Sequence, residues 1–319
     1  MAAPRATTRL FFHGSGASLF GIHIVNVLLT IVTLGVYYFW AKTRVRVYLM
    51  SQTELEGNRF AWHGTGKELL LGFLKALLIF GLPILLLVLI RDVLDVPAFL
   101  KVVAGVLVPV IVLVLLPLAM VGARRYRLSR SSWRGIRFSF RGRPRDFVRL
   151  FIVGSFLSSL TFGLYYPIFD TRRHDFMTSH SWLGTRRFRF DGRGRDLFWP
   201  FLVTVLLALP TLGLVIFWYL ARKRRYFWGH TSAGQARFRS TVTGGRLFLL
   251  YAGNLLLLVF TLGLAWPWVK VRSARFAFRY LFIAGPLDLD DIQQDARAAS
   301  TTGEGLAGLL DSGSGFDFG

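Results

Sequence analysis

Apolar segments long enough to cross a membrane alternate with short basic stretches along this chain. Five runs contain no Asp, Glu, Lys or Arg, and a sixth is interrupted only by Lys75. Each run reaches the roughly 18–20 residues that a helix needs to cross about 30 Å of hydrocarbon. With their flanking residues, the six predicted hydrophobic segments are about 18–41, 69–90, 99–123, 147–169, 197–221 and 247–269.

A unit of about 50 residues recurs along the chain. A Thr-x-Gly tripeptide stands in four apolar segments, and its last three copies are 50 residues apart. An alternating aromatic and basic stretch such as Phe138–Gly142 closes most units, which is typical of a short strand ending in a turn. We interpret the tripeptide as a helix-breaking motif, with these members: Thr33 and Gly35, Thr161 and Gly163, Thr211 and Gly213, Thr261 and Gly263.

The second unit is longer than the others. Gly35 and Gly163 are 128 residues apart, where two ordinary units would place them 100 apart, so this unit holds 28 extra residues. A polar turn at 91–97 separates its two apolar spans, which predicts a helical hairpin.

The remaining units permit two arrangements. If each crosses the membrane once, successive basic loops fall on opposite sides, against the positive-inside bias. If each is a short hairpin that turns at Thr-x-Gly, the basic loops share one side. We favour the short hairpins and keep the single crossing as the alternative.

Composition narrows the class of protein. The chain is 53% hydrophobic and 18% charged, whereas ordinary soluble domains have about 25% charged residues. Its 39 Lys and Arg exceed its 17 Asp and Glu, for a net charge of +22. These values favour a membrane protein whose basic residues lie outside the bilayer. The lack of cysteine excludes disulfides and Cys-ligated metals.

The sequence therefore predicts a mainly α-helical membrane protein with two parts. Residues 1–285 form a transmembrane domain of about five repeats, each a hydrophobic helix or helical hairpin followed by a basic loop with short β segments. Residues 286–319 contain seven acidic residues and Arg297, a net charge of −6, and are predicted to be a disordered acidic tail. The tail is either a solvating segment or a self-inhibitor that competes for the basic face.

Two stretches carry a resemblance to a known family. Asn26–Thr30, followed by the run from Thr33 to Arg44, and the middle stretch from Ser129 to Phe138 resemble the YjgN-like family of bacterial inner-membrane proteins, a family of unknown function. The resemblance covers about residues 9–285 and leaves the tail outside. It implies a multipass protein of the bacterial inner (cytoplasmic) membrane and supplies no catalytic residues.

Arginines at one repeat position are the first candidate site. Each lies nine residues after a motif glycine and follows an aromatic cluster. Trp prefers the headgroup level and Arg can bind phosphate oxygens in a bidentate manner, so the set indicates either general interfacial anchoring or a specific site for anionic lipid head groups. The residues are Arg44, Arg172, Arg222 and Arg272, with Trp40, Trp218 and Trp268.

Two asparagines inside apolar segments are the second candidate. Asn26 and Asn254 lie at comparable depth in the first and last units. In lipid each must face a polar partner, which predicts a hydrogen bond between helices or a position lining a substrate path.

Patterns typical of enzymes are missing from the sequence. It has no nucleophile elbow, no paired carboxylates and no complete phosphate loop, so we predict no enzyme, no cofactor and no metal site. The basic and aromatic stretch 124–142 has the composition of a nucleic-acid binder, but membrane-flanking loops have it too, so we predict no nucleic-acid partner.

The predicted function is non-enzymatic. The protein would engage anionic membrane lipids or an envelope partner through its repeated Arg and aromatic face. The alternative is a small-solute transporter or channel with a pathway between the repeats.

Overall fold

The computed structural model describes residues 7–285 and contains a closed antiparallel barrel of ten short strands. Each strand pairs with its neighbours in the chain, and the first also pairs with the last, so that Thr8 lies opposite Ile283. The closed ring therefore has no exposed strand edge. The strands are β1 (Thr7–Phe12), β2 (Thr53–Leu55), β3 (Asn58–Trp62), β4 (Ser131–Trp133), β5 (Ile136–Phe140), β6 (Ser181–Leu183), β7 (Arg186–Phe190), β8 (Thr231–Ala233), β9 (Ala236–Ser240) and β10 (Leu281–Ala284).

Five helical pairs connect the strands. The chain leaves the barrel on one helix, turns, and comes back on a second helix, which we call the returning helix. Because every odd-numbered strand leads into a pair and every even-numbered strand follows one, all five pairs stand at the same end of the barrel.

The pairs differ in length. They are α1 (Gly16–Val32) with α2 (Tyr38–Ser51); α3 (Gly66–Ala76), a π-helical turn (Leu77–Gly81) and α4 (Leu82–Asp92) with α5 (Ala98–Ser129); α6 (Pro144–Leu160) with α7 (Tyr166–Ser179); a 3₁₀ turn (Gly194–Leu197) and α8 (Phe198–Ala208) with α9 (Ile216–Gly229); and α10 (Gly244–Phe260) with α11 (Trp266–Arg279).

Four pairs turn with one backbone geometry. At the first turn Leu34 has a φ of 50° and Gly35 a φ of 93°. Thr33 Oγ1 donates to Leu29 O at 2.7 Å and accepts from the Tyr37 N–H at 2.9 Å, which closes the end of the helix. Thr161, Thr211 and Thr261 make the equivalent bonds. Each turn thus has two consecutive residues with positive φ, and glycine, which adopts such φ values without strain, is the second of them.

Apolar side chains line the inside of the barrel. Leu55, Trp133, Ala236 and Ile283 are buried there as one cluster. Partly buried neighbours complete the packing, and they are Leu10, Phe60, Phe138, Leu183 and Phe238. The interior of the barrel is therefore apolar.

The predicted mainly α-helical fold is wrong. The strands that we expected as short separate segments form a closed ten-stranded barrel, and among the described residues only Gly66–Asp92 and Ala98–Ser129 are long and apolar enough to cross a membrane. Hydropathy counts apolar residues but does not register a backbone reversal inside them. The segments 18–41, 147–169, 197–221 and 247–269 each contain such a reversal.

The second pair has no Thr-x-Gly turn and extends further than the others. All basic loops lie with the strands at the barrel end. The acidic tail, at 286–319, lies outside the described residues.

Candidate functional site

A cavity of about 1250 Å³ lies inside the ring of helices next to the barrel. We call it the central cavity. Its wall extends from barrel residues such as Phe238 to Thr30 and Ile31, which lie close to the first turn. The cavity therefore runs along the axis of the molecule, from the barrel toward the tips of the helical pairs.

Basic side chains surround the central cavity. Among the described residues that line it, eight are Lys or Arg, and Asp170 is the one carboxylate. Most of the basic residues lie on the returning helices. The eight are Lys42, Arg46, Arg124, Arg127, Arg173, Arg186, Lys223 and Lys270.

Helical spacing decides which basic residues face the cavity. Lys42 and Arg46 lie one turn apart on α2, so both point inward. Arg44, between them, is exposed on the outer surface. Arg124 and Arg127 are three residues apart on α5 and likewise share the inner face.

Asp170 joins two of the returning helices. It is only 3% exposed, and its Oδ1 lies 2.7 Å from Arg173 Nη2 while its Oδ2 lies 2.6 Å from Lys223 Nζ. The Lys223 ion pair links α7 to α9, and both ion pairs balance part of the charge on this side of the cavity. The cations of α2, α5 and α11 give the rest of the wall its positive character.

Burial makes positive charge costly in the central cavity. Burial, together with the charges of Arg46, Arg127 and Lys270, lowers the pKa of Lys42 to about 7. Burial also lowers the pKa of Lys270, and it is the main reason that the pKa of His174 falls to about 3. These three residues follow the apolar segments of their helical pairs. A bound anion would oppose the shifts because it stabilises the charged forms.

Apolar surface bounds the basic ring on both sides. Toward the barrel the lining includes Trp133, Phe188 and Ile283, and toward the tips it includes Val27 and Leu116. The cavity can therefore accommodate a ligand that is anionic in one part and apolar in another.

The structure separates the two predicted asparagines. Asn26 is buried and lines the central cavity, with its Nδ2 3.4 Å from Ala41 O. Its Oδ1 is buried and accepts no hydrogen bond from the described residues. Asn254 is not among the described lining residues, and its Nδ2 donates to Ser273 Oγ at 3.1 Å within the fifth pair. Both bridge the two helices of their own pair.

The four predicted arginines lie on the outside of the molecule. Arg44, Arg172, Arg222 and Arg272 are all exposed, each on the outer face of a different returning helix. The structure therefore does not bring them together. Arg44 stacks over the Tyr37 ring at 5.5 Å.

Each predicted tryptophan fills a contact between neighbouring pairs. Each packs against the glycine that begins the first helix of the neighbouring pair. A Cβ added to that glycine would approach the tryptophan ring more closely than 3.0 Å. The contacts are Trp40 with Gly66, Trp218 with Gly244, and Trp268 with Gly16. These tryptophans thus hold adjacent pairs together.

Sequence reasoning missed the basic residues of the central cavity. It selected the position nine residues after the motif glycine because an arginine recurs there. The inward positions, seven and eleven residues after the glycine, vary between units, as Lys42, Asp170 and Lys270 show for position seven. The spacing of Lys42 and Arg46, one helical turn apart, was the available signal.

The sequence also has relatives among known families. The sequence model of the family described as "Bacterial protein of unknown function (DUF898)" matches residues 7–217, 186–235 and 198–309. The match extends beyond residue 285, where we expected the resemblance to end.

Curated relatives match a smaller part of the chain. Inner membrane protein YjgN of Escherichia coli K12 is 36% identical over 129 residues, which are 40% of this chain and 30% of the relative. The YjgN protein of Salmonella typhimurium is 34% identical over 131 residues, 41% of this chain and 31% of the relative. The aligned stretch is thus less than a third of the length of these relatives. No solved structure matches the chain.

Proposed function

Because this chain belongs to the DUF898 family of bacterial proteins of unknown function, we propose that it is an inner membrane protein that binds the phosphate of an anionic lipid in its central cavity. The predicted resemblance to YjgN-like proteins is confirmed, and the names of these relatives support an inner-membrane location. The binding proposal rests on one observation, the eight basic residues around one carboxylate in the described lining.

The tips of the helical pairs support the membrane location. In four pairs the first of the two positive-φ residues of the turn is apolar and almost fully exposed, with Leu34 at 95%, Phe162 at 97%, Leu212 at 90% and Leu262 at 93%. Exposed apolar tips of this kind are unfavourable in water but not in lipid. We therefore orient the tips into the bilayer and the barrel, with its basic strands, toward the cytoplasm.

Helix lengths suggest how deep each pair reaches. The 17 residues of α1 extend about 25 Å, less than the roughly 30 Å of hydrocarbon. The two helices of the second pair, with 27 and 32 residues, extend about 40 and 48 Å. On this proposal the second pair crosses the bilayer, while the four shorter pairs enter from the barrel side and end within it.

A bound phosphate would offset the charge of the central cavity. Bringing cations into a partly buried site has a desolvation penalty, which an opposite charge with good hydrogen bonds compensates. Guanidinium groups match phosphate oxygens in a bidentate geometry, and an ammonium adds a compact point charge. Arg46, Arg127 and Lys42 supply both kinds of group on one side of the cavity.

The direction of the apolar lining favours a lipid over a small inorganic anion. The basic ring lies between the apolar interior of the barrel and the apolar wall near Val27, Ile31 and Leu116. A head group at the ring would let its acyl chains follow that wall toward the tips and the bilayer.

The proposed role is binding and not catalysis. Acid–base catalysis by a carboxylate would need one that is available to the ligand. Asp170, the one carboxylate in the described lining, is held by Arg173 and Lys223.

The test compares two arginines of one helix. Purified full-length protein is stripped of lipid in detergent and titrated with short-chain phosphatidylglycerol or with short-chain phosphatidylcholine. We expect the anionic lipid alone to bind, and Arg46→Gln to weaken that binding at least tenfold. Arg44→Gln, two residues away on the outer face, should change the affinity by less than twofold.

Two results would contradict the proposal. Equal affinity of the wild type and Arg46→Gln would exclude the central cavity as the site. An equal loss in Arg44→Gln and Arg46→Gln would show that surface charge, and not the cavity, attracts the lipid. Thermal unfolding of each variant checks that the fold is retained.

A further inference from the structure

A second cavity, of about 560 Å³, lies on the outside where the last helical pair meets the first. We call it the outer groove. Four arginines line it, and α11 supplies three of them, Arg272, Arg275 and Arg279, on one face. The fourth, Arg246, comes from the first turn of α10. The described lining of the groove includes no Asp or Glu.

One arginine of the outer groove replaces a carboxylate that three other units have at the same position. Arg246 is the third residue of its element, and the equivalent third residues in the second, third and fourth units are Glu68, Asp146 and Asp196. Glu68 Oε1 lies 2.9 Å from Arg130 Nη2, and Asp196 Oδ2 accepts a hydrogen bond from the Tyr226 hydroxyl at 2.5 Å. Where those units place a carboxylate, the fifth places another cation.

Three arginines of the outer groove are held in position by aromatic and backbone groups. Arg275 Nη2 donates to Gly14 O of the first unit at 2.7 Å. Arg246 lies 5.0 Å and Arg279 5.9 Å from the centre of the Tyr280 ring. The guanidinium groups are therefore arranged before any ligand binds, which reduces the entropy lost on binding.

Polarity changes along the outer groove as it does along a phospholipid. Arg246 and Arg279 lie at the barrel ends of α10 and α11, whereas Trp268 and Leu257 lie toward the tip of the pair. Leu249 and Trp268 are 64% and 41% exposed, so the apolar part of the groove is continuous with the outer apolar surface.

We propose that the outer groove is a second lipid site, which binds an anionic phospholipid with its phosphates on the arginines and its acyl chains along α10. This inference rests on the membrane location proposed above. Four guanidinium groups exceed the need of one phosphodiester, so a phospholipid with two phosphodiesters binds more tightly than one with a single phosphodiester.

The test replaces Arg246 with the residue that two other units carry. Full-length protein in detergent is mixed with diphosphatidylglycerol, phosphatidylglycerol or phosphatidylcholine, and bound lipids are counted by native mass spectrometry. We expect diphosphatidylglycerol to bind best. Arg246→Asp should remove one bound anionic lipid, with at least a tenfold loss of affinity, because the new carboxylate pairs with the groove arginines.

Matched variants separate the two proposals. Arg222→Gln changes the exposed arginine equivalent to Arg272 in the fourth unit and should keep both lipids. Arg46→Gln should remove the lipid of the central cavity and leave that of the outer groove. An Arg246→Asp protein that binds as many lipids as the wild type, with the same affinity, would overturn the outer-groove proposal alone.

A second variant covers the case in which Arg246→Asp does not fold. Arg246→Gln combined with Arg279→Gln removes two positive charges and introduces no negative charge. Loss of one lipid in this variant supports the proposal, and retention of both lipids overturns it.

Discussion

Neighbouring residues on one returning helix have different environments. Arg44 is exposed on the outer surface, and Arg46, two residues later, lines the central cavity. A step of two residues turns the helix by about 200°, which is enough to move a side chain from one face to the other. Recurrence of an arginine at one repeat position therefore did not identify the inner site.

Lys42 predicts how lipid binding depends on pH. Its pKa of about 7 means that the free protein loses this charge as the pH rises above 7, and a bound phosphate would raise the pKa. The phosphodiester itself stays ionised over this range. Affinity for phosphatidylglycerol should thus be constant below pH 7 and fall above it, by up to about tenfold per pH unit for one coupled proton.

The measurement is a binding titration at pH 6, 7, 8 and 9. Lys42→Met should bind more weakly and show a shallower slope. Some slope remains, because burial also lowers the pKa of Lys270. Lys75→Met, which changes an exposed lysine on the second pair, should keep the wild-type profile. Equal wild-type affinity at pH 6 and pH 9 would exclude a role for Lys42.

At the scale of elements, the turns of the four shorter pairs fix the length of their helices. The Thr hydroxyl accepts the backbone N–H four residues later, and the glycine takes a positive φ that a side chain disfavours. The turn therefore stops an apolar stretch that composition alone would extend into one long helix.

Gly35→Ala tests the turn. With a φ of 93° at this position, an added Cβ should destabilise the pair by about 1–2 kcal/mol. Gly21→Ala is the matched control, because Gly21 lies inside α1 with no atom within 4 Å of an added Cβ. It should be neutral or stabilise by up to about 1 kcal/mol.

Thermal unfolding in detergent distinguishes the two glycine variants. A lower midpoint for Gly35→Ala alone is the expected result. Equal unfolding midpoints for both variants would show that the turn does not require glycine at position 35.

At the scale of the whole molecule, closure of the barrel determines where the loops lie. The four strand turns belong to one ring, so every basic loop of the described residues is at the same end as the others. The long second pair is the part that reaches furthest from this end, with Asp95 at its exposed tip.

Single-cysteine labelling tests this arrangement, since the chain has no native cysteine. Asn58→Cys, Thr185→Cys and Gln235→Cys place exposed thiols at three strand turns. In spheroplasts these sites should react with an impermeant maleimide only after lysis. Asp95→Cys should react before lysis, because we expect the second pair to cross the membrane. Labelling of Thr185→Cys before lysis would contradict the common side of the loops.

The sequence indicated much of the local structure through single residues. Gly163, Gly213 and Gly263 recur at intervals of 50 residues, and all three have positive φ values. The alternating stretches marked β5 and β7, because strand periodicity is a local property. The central cavity was not visible in this way, since its lining comes from five pairs far apart in the chain.

By itself the sequence determined the apolar segments, the turn motif, the basic excess and the family, because each depends on residues that are near one another in the chain. The tertiary structure alone decided that the strands close into one barrel, that Arg46 faces inward while Arg44 faces outward, and that Arg246 joins three arginines of α11. The physical reason is that a charged site depends on which distant side chains share a space, and only the packing of the helical pairs sets that.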